Sequence, residues 1–373
     1  MIIIALTIAT VIPLIVLYGI YTLDLYKTGE FRLAVICFMA GAAAYGAAAL
    51  INPTPLRLGW IDYNQMVRFL APVVEEILKA LILLVLVRRP KFTYFVDGAI
   101  YGFAAGIGFA ICENYEYIFG NAGAAVMVAV SRVVSTNLMH ASASATVGIV
   151  LGWARFQKPA ARTMLNLGGI LLAILLHMGY NNLVTRLTSG WLLVYAVLVG
   201  GGAAGLIALM IRQGLKDERA WIQEKLGVTD RVERQEVAAV QNIARVDEVL
   251  KRLAGTFGPA AATKIEGLLY TQARLGILRK TADKMSDEKM RAGIQAEIEQ
   301  LHREMERARR AIGSYAMVYL RYTHLEEMFS VYDILGARIR EQMAQERAPG
   351  MGVFDRLKQH VVTSPQNPDE SEE

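Results

Sequence analysis

An apolar run of about residues 67–87 carries three ionisable side chains, Glu75, Glu76 and Lys79. The run is long enough to cross a bilayer as a helix. Charges at that depth cost roughly 3 kcal/mol each, so they normally face protein or a wet cavity and mark a functional site. Glu75 and Lys79 stand four residues apart, which predicts that the ammonium partly neutralises the carboxylates. Two adjacent carboxylates do not both ionise easily, so one of them could exchange a proton near neutral pH. A structural ion pair between helices is the alternative.

Three later apolar stretches carry further polar residues. They are Phe109, Glu113 and Asn114 in the fourth stretch, Asn137, His140 and Ser144 in the fifth, and His177 and Asn181 in the sixth. A single histidine or asparagine in a membrane helix is usually part of an interhelical hydrogen bond. Taken alone, each of these residues therefore says little about function.

The depth of the ionisable residues argues for one shared site. Counted from a charged residue at one end of its own span, each of Glu75, Glu113, His140 and His177 lies 13 to 16 residues in. At about 1.5 Å per residue, all four lie roughly 20–24 Å into a hydrocarbon core about 30 Å thick. Unrelated structural residues would be scattered over the depth. The common depth therefore predicts a single site in the outer half of the bilayer.

These residue types suit hydrolysis of a peptide bond. A carboxylate can deprotonate water, an imidazole can orient the water or protonate a leaving amine, and an amide can donate to an oxyanion. No serine or cysteine is flanked as a nucleophile should be, and the His-Glu-x-x-His, Gly-x-Ser-Gly and Gly-x-Gly-Asp motifs are absent from the sequence. We therefore expect water as the nucleophile and no cofactor. Zinc held by Glu75, His140 and His177 remains chemically allowed, although the adjacent Lys79 opposes a cation.

Composition and periodicity predict an all-α fold: a polytopic membrane helix bundle followed by a cytosolic helical domain. The chain is 54% apolar. Its seven apolar segments, which predict about seven transmembrane helices, lie near residues 1–23, 33–52, 67–87, 97–118, 122–154, 163–186 and 190–211. The fifth is too long for one perpendicular span, so we expect it to be tilted, kinked or extended beyond the bilayer. Dense Gly and Ala in the second, fourth and seventh predict close helix packing. The two cysteines predict neither a disulfide framework nor a Cys-based metal site.

The distribution of positive charge predicts the orientation. Alternate connections carry eleven and three Lys or Arg residues, which favours an outside N-terminus and a cytoplasmic C-terminus. Residues 1–211 hold 13 Lys/Arg and 8 Asp/Glu, whereas residues 212–373 hold 26 of each. The whole excess therefore belongs to the membrane part, where it reports topology and predicts contact with the lipid bilayer rather than with nucleic acid.

Beyond residue 211 the chain becomes amphipathic and charged. Helices are predicted near 214–226, 230–254, 258–284, 287–312 and 314–347, with breaks at Gly255, Gly258 and Gly313. The predicted organisation is a transmembrane protease domain at 1–211, a cytosolic helical regulatory or interaction domain at 212–347 and a disordered acidic tail at 348–373. The middle domain could dock a cytosolic protein partner.

On successive spans, the chain carries a set of motifs that resembles the PrsW intramembrane proteases. These are Glu75-Glu76-x-x-Lys79, Phe109-x-x-x-Glu113-Asn114, His140 and His177-x-x-x-Asn181. That family is similar in turn to the CAAX prenyl endopeptidases and the Abi proteins. The resemblance covers roughly residues 1–211, and the four motifs are specific only in combination.

The resemblance implies particular roles for these residues. Glu75 and Glu76 would activate water, His140 and His177 would assist, and Asn181 would form the oxyanion hole. Glu113 stands where the CAAX enzymes have a histidine, and Lys79, Phe109 and Asn114 would support the site.

The resemblance also implies a place and a substrate. Members are similar to site-one proteases of the bacterial cytoplasmic membrane that cut a single-span, membrane-anchored anti-sigma factor on its outer side and start a stress response. Residues 212–373 depart from the compact family pattern. Two other functions stay open: a proton- or ion-coupled transporter that uses the same Glu and His residues as a relay, and a receptor or scaffold. No convincing internal repeat supports a transporter.

Overall fold

The computed structural model describes residues 1–184, 189–227, 232–241, 243 and 246–322, and these residues form helices and connecting turns without strands. The predicted all-α class is confirmed. The membrane part contains α1 (Ile2–Tyr21), α2 (Phe31–Ile51), α3 (Pro53–Arg57), α4 (Tyr63–Gln65), a π-helical turn (Met66–Leu70), α5 (Ala71–Leu86), α6 (Phe95–Gly120), α7 (Ala125–Val134), α8 (Thr136–Ala154), α9 (Pro159–Val184) and α10 (Ser189–Lys225). These are followed by α11 (Arg234–Gln241), α12 (Val246–Phe257), α13 (Pro259–Lys284), α14 (Glu288–Ile312) and α15 (Ser314–Tyr322).

Five segments of the described chain are long and apolar enough to cross a membrane: Ile2–Tyr21, Phe31–Arg57, Phe95–Gly120, Ala122–Ala154 and Pro159–Val184. The third predicted span contains the π-helical turn and α5, which has 16 residues and is shorter than a full span. The seventh predicted span lies in α10, whose apolar half is only partly described. The protein is therefore multi-pass, and the count of seven remains a prediction.

The long fifth segment is broken in the middle. α7 ends at Val134, and Ser135 (φ −113°, ψ −77°) precedes α8. The break lets α7 pack against α1 while α8 packs against α6 and α9. The expected kink is confirmed, and it lies five residues before His140.

Helix α6 is the centre of the bundle, and small residues let its neighbours approach. A Cβ atom added at Gly106 would overlap the backbone of His140 and Ala141 in α8, and one at Gly41 of α2 would overlap Ala105. The glycine-rich segments therefore pack backbone against backbone, as predicted for α2 and α6.

Buried carboxylates fix the connection between α1 and α2. Asp24 accepts a hydrogen bond from the backbone N–H of Gly29 at 2.8 Å. Thr28 donates to Asp97 in the first turn of α6 at 3.0 Å, and Asp97 also accepts from the Thr93 hydroxyl at 2.7 Å. This cluster ties the connection to α6 at the end of the bundle opposite the predicted site.

The described chain divides into two compact units. The first comprises Met1–Ala244 and Leu268–Arg307, and the second comprises Arg245–Gly267 and the chain from Ala308 onward. The first unit joins most of α13 and α14 to the membrane helices. The domain boundaries at 211 and 347 stay predictions, and the predicted tail at 348–373 lies outside the described residues.

Several helix predictions for the charged half need correction. Residues 214–226 are the end of the continuous α10, because the change from apolar to charged composition does not itself stop a helix. Residues 230–254 contain α11 and the start of α12 instead of one helix. Gly258 (φ +89°) and Gly313 (φ +87°) are breaks as predicted, whereas Gly255 lies inside α12. Helices α13 and α14 match their predicted ranges.

Candidate active site

The two adjacent glutamates of α5 have different surroundings, because successive helix residues point about 100° apart. Glu76 is 1% exposed, and its Oε1 lies 2.6 Å from Nζ of Lys79, which is also 1% exposed. The expected neutralisation of the pair by Lys79 is therefore made through a direct contact with Glu76, although the sequence spacing of four residues had drawn attention to Glu75. Lys79 bonds Glu76, one turn before it, because both side chains point into the bundle.

His177 of α9 bridges the two glutamates. Its Nδ1 lies 2.9 Å from Oε1 of Glu76, and its Nε2 lies 3.9 Å from Oε2 of Glu75. A buried carboxylate beside Nδ1 favours the tautomer with the proton on that nitrogen. The lone pair of Nε2 then faces Glu75.

His140 of α8 occupies the opposite side of the same cluster. Its Nδ1 lies 2.9 Å from Nζ of Lys79, and its Nε2 lies 2.9 Å from Oε2 of Glu113. The two imidazole rings meet edge to face, with centroids 4.7 Å apart. Phe109 packs against Lys79 and His140: its ring centroid is 4.7 Å from Lys79 Nζ and 5.0 Å from the centroid of the His140 ring.

Sequence reasoning missed Arg132 of α7, which anchors Glu113. Arg132 Nη2 lies 2.6 Å from Oε2 of Glu113, and its Nε donates to Oδ1 of Asn114 at 2.8 Å. Asn114 in turn donates to Oδ1 of Asn137 at 2.7 Å. The available signal was a lone arginine in an apolar stretch, eight residues before a histidine. Asn114 thus supports the site through Arg132.

Glu75 faces a cavity, whereas Glu76, Lys79 and His140 do not line it. The cavity has a volume of about 350 Å³, and its lining includes Glu75, Glu113, His177 and Asn181 together with Asn52 and the aromatic residues Tyr45, Tyr63, Phe109 and Tyr117. Asn52, another residue not predicted, donates from Nδ2 to Oε1 of Glu75 at 3.1 Å. One glutamate is therefore accessible from the cavity, and the other is enclosed behind it.

Asn181 lines this cavity, and its side chain forms a hydrogen bond to the backbone. Its Nδ2 donates to the carbonyl of Val67 at 2.9 Å. The N–H of Ala71 bonds Met66 in the π-helical turn, and Pro72 has no N–H to offer, so Val67 lacks a helical donor. Asn181 supplies that donor. Its oxyanion role remains a prediction, and its visible contact secures the turn that precedes Glu75.

Glu75, His140 and His177 provide the types of ligand that a catalytic zinc site uses. One ligand atom from each of Glu75, His140 and His177 lies within 4.8 Å of the others, and two imidazoles with a carboxylate suit such a site. Glu76 and Glu113 contact the histidines as carboxylates that orient metal ligands do. However, the ammonium of Lys79 lies 2.9 Å from Nδ1 of His140, the ring nitrogen that does not contact Glu113. The three donors fit zinc only if the side chain of Lys79 moves away from His140.

The fold and this cluster together define a polytopic helical membrane protein with a carboxylate–imidazole site between its helices. The structure brings together all of the predicted ionisable residues, from α5, α6, α8 and α9.

Comparison with known proteins identifies a family that part of this chain resembles. Residues 29–199 match the PrsW family intramembrane metalloproteases. Protease PrsW of Clostridioides difficile (strain 630) is 27% identical over 202 residues, which cover 51% of this chain and 84% of that protein. Protease PrsW of Shouchella clausii (strain KSM-K16) is 26% identical over 211 residues, covering 52% and 89%. Protease PrsW of Bacillus subtilis (strain 168) is 34% identical over 119 residues, covering 32% and 53%. No solved structure matches the chain. Residues 29–199 are thus similar to the PrsW family, and the resemblance drawn from the motifs is confirmed.

Proposed function

We propose that this protein is an intramembrane endopeptidase that hydrolyses a peptide bond of a single-span, membrane-anchored substrate with a water molecule activated by Glu75. The family match supports a protease of this class. The observation that carries the proposal is the asymmetry of the glutamate pair. Glu75 reaches the cavity beside His177, and Glu76 is buried behind both.

The buried half of the cluster holds the accessible half in place. Lys79 neutralises Glu76, and Glu76 in turn fixes the ring of His177. Lys79 and Glu113 fix His140 from its two sides. A site whose groups are held before the substrate arrives stabilises the transition state without reorganisation.

The reaction follows from the accessible atoms. A water molecule between Glu75 and His177 donates one hydrogen to each, and Glu75 takes its proton as the oxygen attacks the scissile carbonyl carbon. The resulting oxyanion is stabilised by amide donors that line the cavity, with Asn181 as the candidate. The C–N bond then breaks, and the proton held by Glu75 passes to the leaving amine. The products are one carboxyl and one amino terminus.

A metal-dependent variant is the second candidate, favoured by the proximity of Glu75, His140 and His177. A zinc ion bound there would lower the pKa of a water molecule and polarise the carbonyl. Glu76 and Glu113 would then orient the two histidines. The position of Lys79 beside His140 favours the metal-independent mechanism.

We further propose a bacterial cytoplasmic membrane location with the N-terminus outside and the C-terminus in the cytoplasm. The support is the bias of Lys and Arg toward alternate connections. In that orientation the site lies in the outer half of the bilayer, which suits site-one cleavage of an anti-sigma-factor-like substrate. The helices beyond residue 211 would regulate the enzyme or dock a cytosolic partner.

The test is cleavage of single-span substrates by the purified protein in liposomes, with mass spectrometry of the products. Wild type is expected to cut, and Glu75→Gln is expected to lose at least about 10³-fold in rate. Uptake of protons or ions without any cleavage would instead support the transporter. Binding of a cytosolic protein without either activity would support a scaffold.

A further inference from the structure

A second cavity, of about 510 Å³, lies at the other end of the bundle, between the ends of α5 and α8, the start of α9, and α14. Along α5 it begins at Leu84, nine residues from Glu75, which is roughly 14 Å along the helix axis. Its lining is strongly basic. The charged side chains that line it are Arg88, Arg89, Arg155, Arg162 and Lys289, against the single carboxylate of Asp287.

Arg155 distinguishes this cavity from an ordinary basic surface. Its side chain is 1% exposed and donates from Nη1 to the carbonyl of Thr93 at 3.1 Å. Its Nε and Nη2 have no hydrogen-bond partner within the described part of the chain. The nearby Asp97 carboxylate is already bonded to Thr93 and Thr28. A buried guanidinium with two unused donors is costly unless an anion completes it.

The other cations leave room for such an anion. Arg162 makes two long contacts, at 3.4 Å with Asp287 and at 3.9 Å with Sδ of Met290. In the residues that the structure describes, neither Arg88, Arg89 nor Lys289 takes part in an ion pair. The bias of positive charge toward one membrane face explains the exposed arginines. It does not explain a buried arginine that lines the cavity with two donors unpaired within the described residues.

The surroundings favour a lipid over a soluble anion. Apolar side chains next to the cavity are exposed on the two helices that form its walls: Leu81 and Val85 of α5, each 52% exposed, and Met164 (76%) and Leu167 (63%) of α9. Leu84 and Val87 line the cavity itself. An acyl chain can lie along these faces while its headgroup enters the basic end.

We propose that this cavity binds the phosphate headgroup of an anionic phospholipid from the adjacent leaflet, with Arg155 as its innermost ligand. Guanidinium groups bind phosphate oxygens through paired donors, and basic pockets between membrane helices suit such headgroups. The lipid would join α14 to the ends of α5, α8 and α9. This site is independent of the proposed protease reaction.

The experiment measures lipid binding to the purified full-length protein in detergent, by native mass spectrometry and by the shift in thermal unfolding. The probes are dioleoyl phosphatidylglycerol, dioleoyl phosphatidylcholine and inorganic phosphate. Wild type is expected to bind phosphatidylglycerol at least about tenfold more tightly than phosphatidylcholine. Inorganic phosphate at the same concentration is expected to give no shift. Equal binding of the two lipids would overturn the proposal, and a full shift with phosphate would assign the cavity to a soluble anion instead.

Matched double variants separate this cavity from general surface charge. Arg155 is buried, so its substitution would confound lipid binding with folding, and the cavity variant is Arg88→Gln/Arg89→Gln at two exposed positions. The control is Arg32→Gln/Lys158→Gln, which also removes two exposed cations but spares the cavity lining. The cavity variant is expected to lose about tenfold in phosphatidylglycerol affinity and the control less than threefold. Equal losses in both variants would contradict a specific site.

Discussion

Substitution of the enclosed Glu76 should lower the stability of the protein more than substitution of its neighbour Glu75. Glu76→Gln keeps the side-chain volume but leaves the ammonium of Lys79 without the carboxylate oxygen that lies 2.6 Å away. Both groups are 1% exposed, so water cannot replace the lost partner. Breaking a buried ion pair on one side costs about 3–5 kcal/mol, a large share of a typical stability of about 5–15 kcal/mol.

Glu75→Gln provides the matched comparison. Glu75 faces the cavity, and a glutamine oxygen can accept the hydrogen bond from Asn52 as well. We expect a loss of about 1 kcal/mol or less. The double variant Glu76→Gln/Lys79→Met removes the unpaired charge as well, and it should regain part of the stability lost in Glu76→Gln.

The assay is reversible denaturant or thermal unfolding of the three variants in the same detergent. The expected order of stability is Glu75→Gln highest, the double variant intermediate and Glu76→Gln lowest. Equal stability of the two single variants would refute the division into an accessible and an enclosed glutamate.

Three further predictions concern packing, pH and metal. Gly106→Ala should destabilise the protein and displace His140, because the added Cβ would overlap the α8 backbone. The control Gly179→Ala should be tolerated, because its Cβ would meet no atom within 4 Å. Thermal unfolding of both variants checks this prediction. Burial and the neighbouring carboxylate of Asp97 raise the pKa of Asp24 to about 7 from 3.8. Between these two pKa values the folded protein holds a proton that the unfolded chain has lost, so stability should fall as pH rises from about 4 to 7. Melting temperatures across that range should fall less in Asp24→Asn than in the wild type. The same pH profile in Asp24→Asn and in the wild type would contradict this. A chelator should leave cleavage unchanged if the reaction is metal-independent, and loss of cleavage that zinc restores would establish the metal-dependent variant.

Much of the site was predictable because the bilayer imposes a depth scale. Glu75, Glu113, His140 and His177 lie at similar counts from the charged ends of their spans, and the helices bring these four side chains into one cluster. The same reasoning could not assign the partner of Lys79. Positions three and four residues away share a helix face, and the spacing does not show which of the two carboxylates points into the bundle with Lys79.

Other features depended on contacts between helices that sequence spacing does not contain. Arg132 precedes the break at Ser135, and the change of direction there brings it to Glu113. Asn181 bonds the Val67 carbonyl, which Pro72 leaves without a donor. Pro72 could be read from the sequence, but the sequence does not show that a side chain of α9 supplies the missing donor. In the charged half, the continuity of α10 past residue 211 could not be predicted, because a change in hydropathy is not a helix stop signal.

The most direct test of the central claim is the cleavage rate of a single-span substrate by the reconstituted protein with Glu75→Gln. The control is Glu116→Gln, which removes another carboxylate that lines the cavity, where it accepts from Tyr45 and contacts neither histidine. We predict loss of cleavage in folded Glu75→Gln and retention of at least about a tenth of the rate in Glu116→Gln. Cleavage by Glu75→Gln at the wild-type rate would contradict the assignment of Glu75 as the group that activates water.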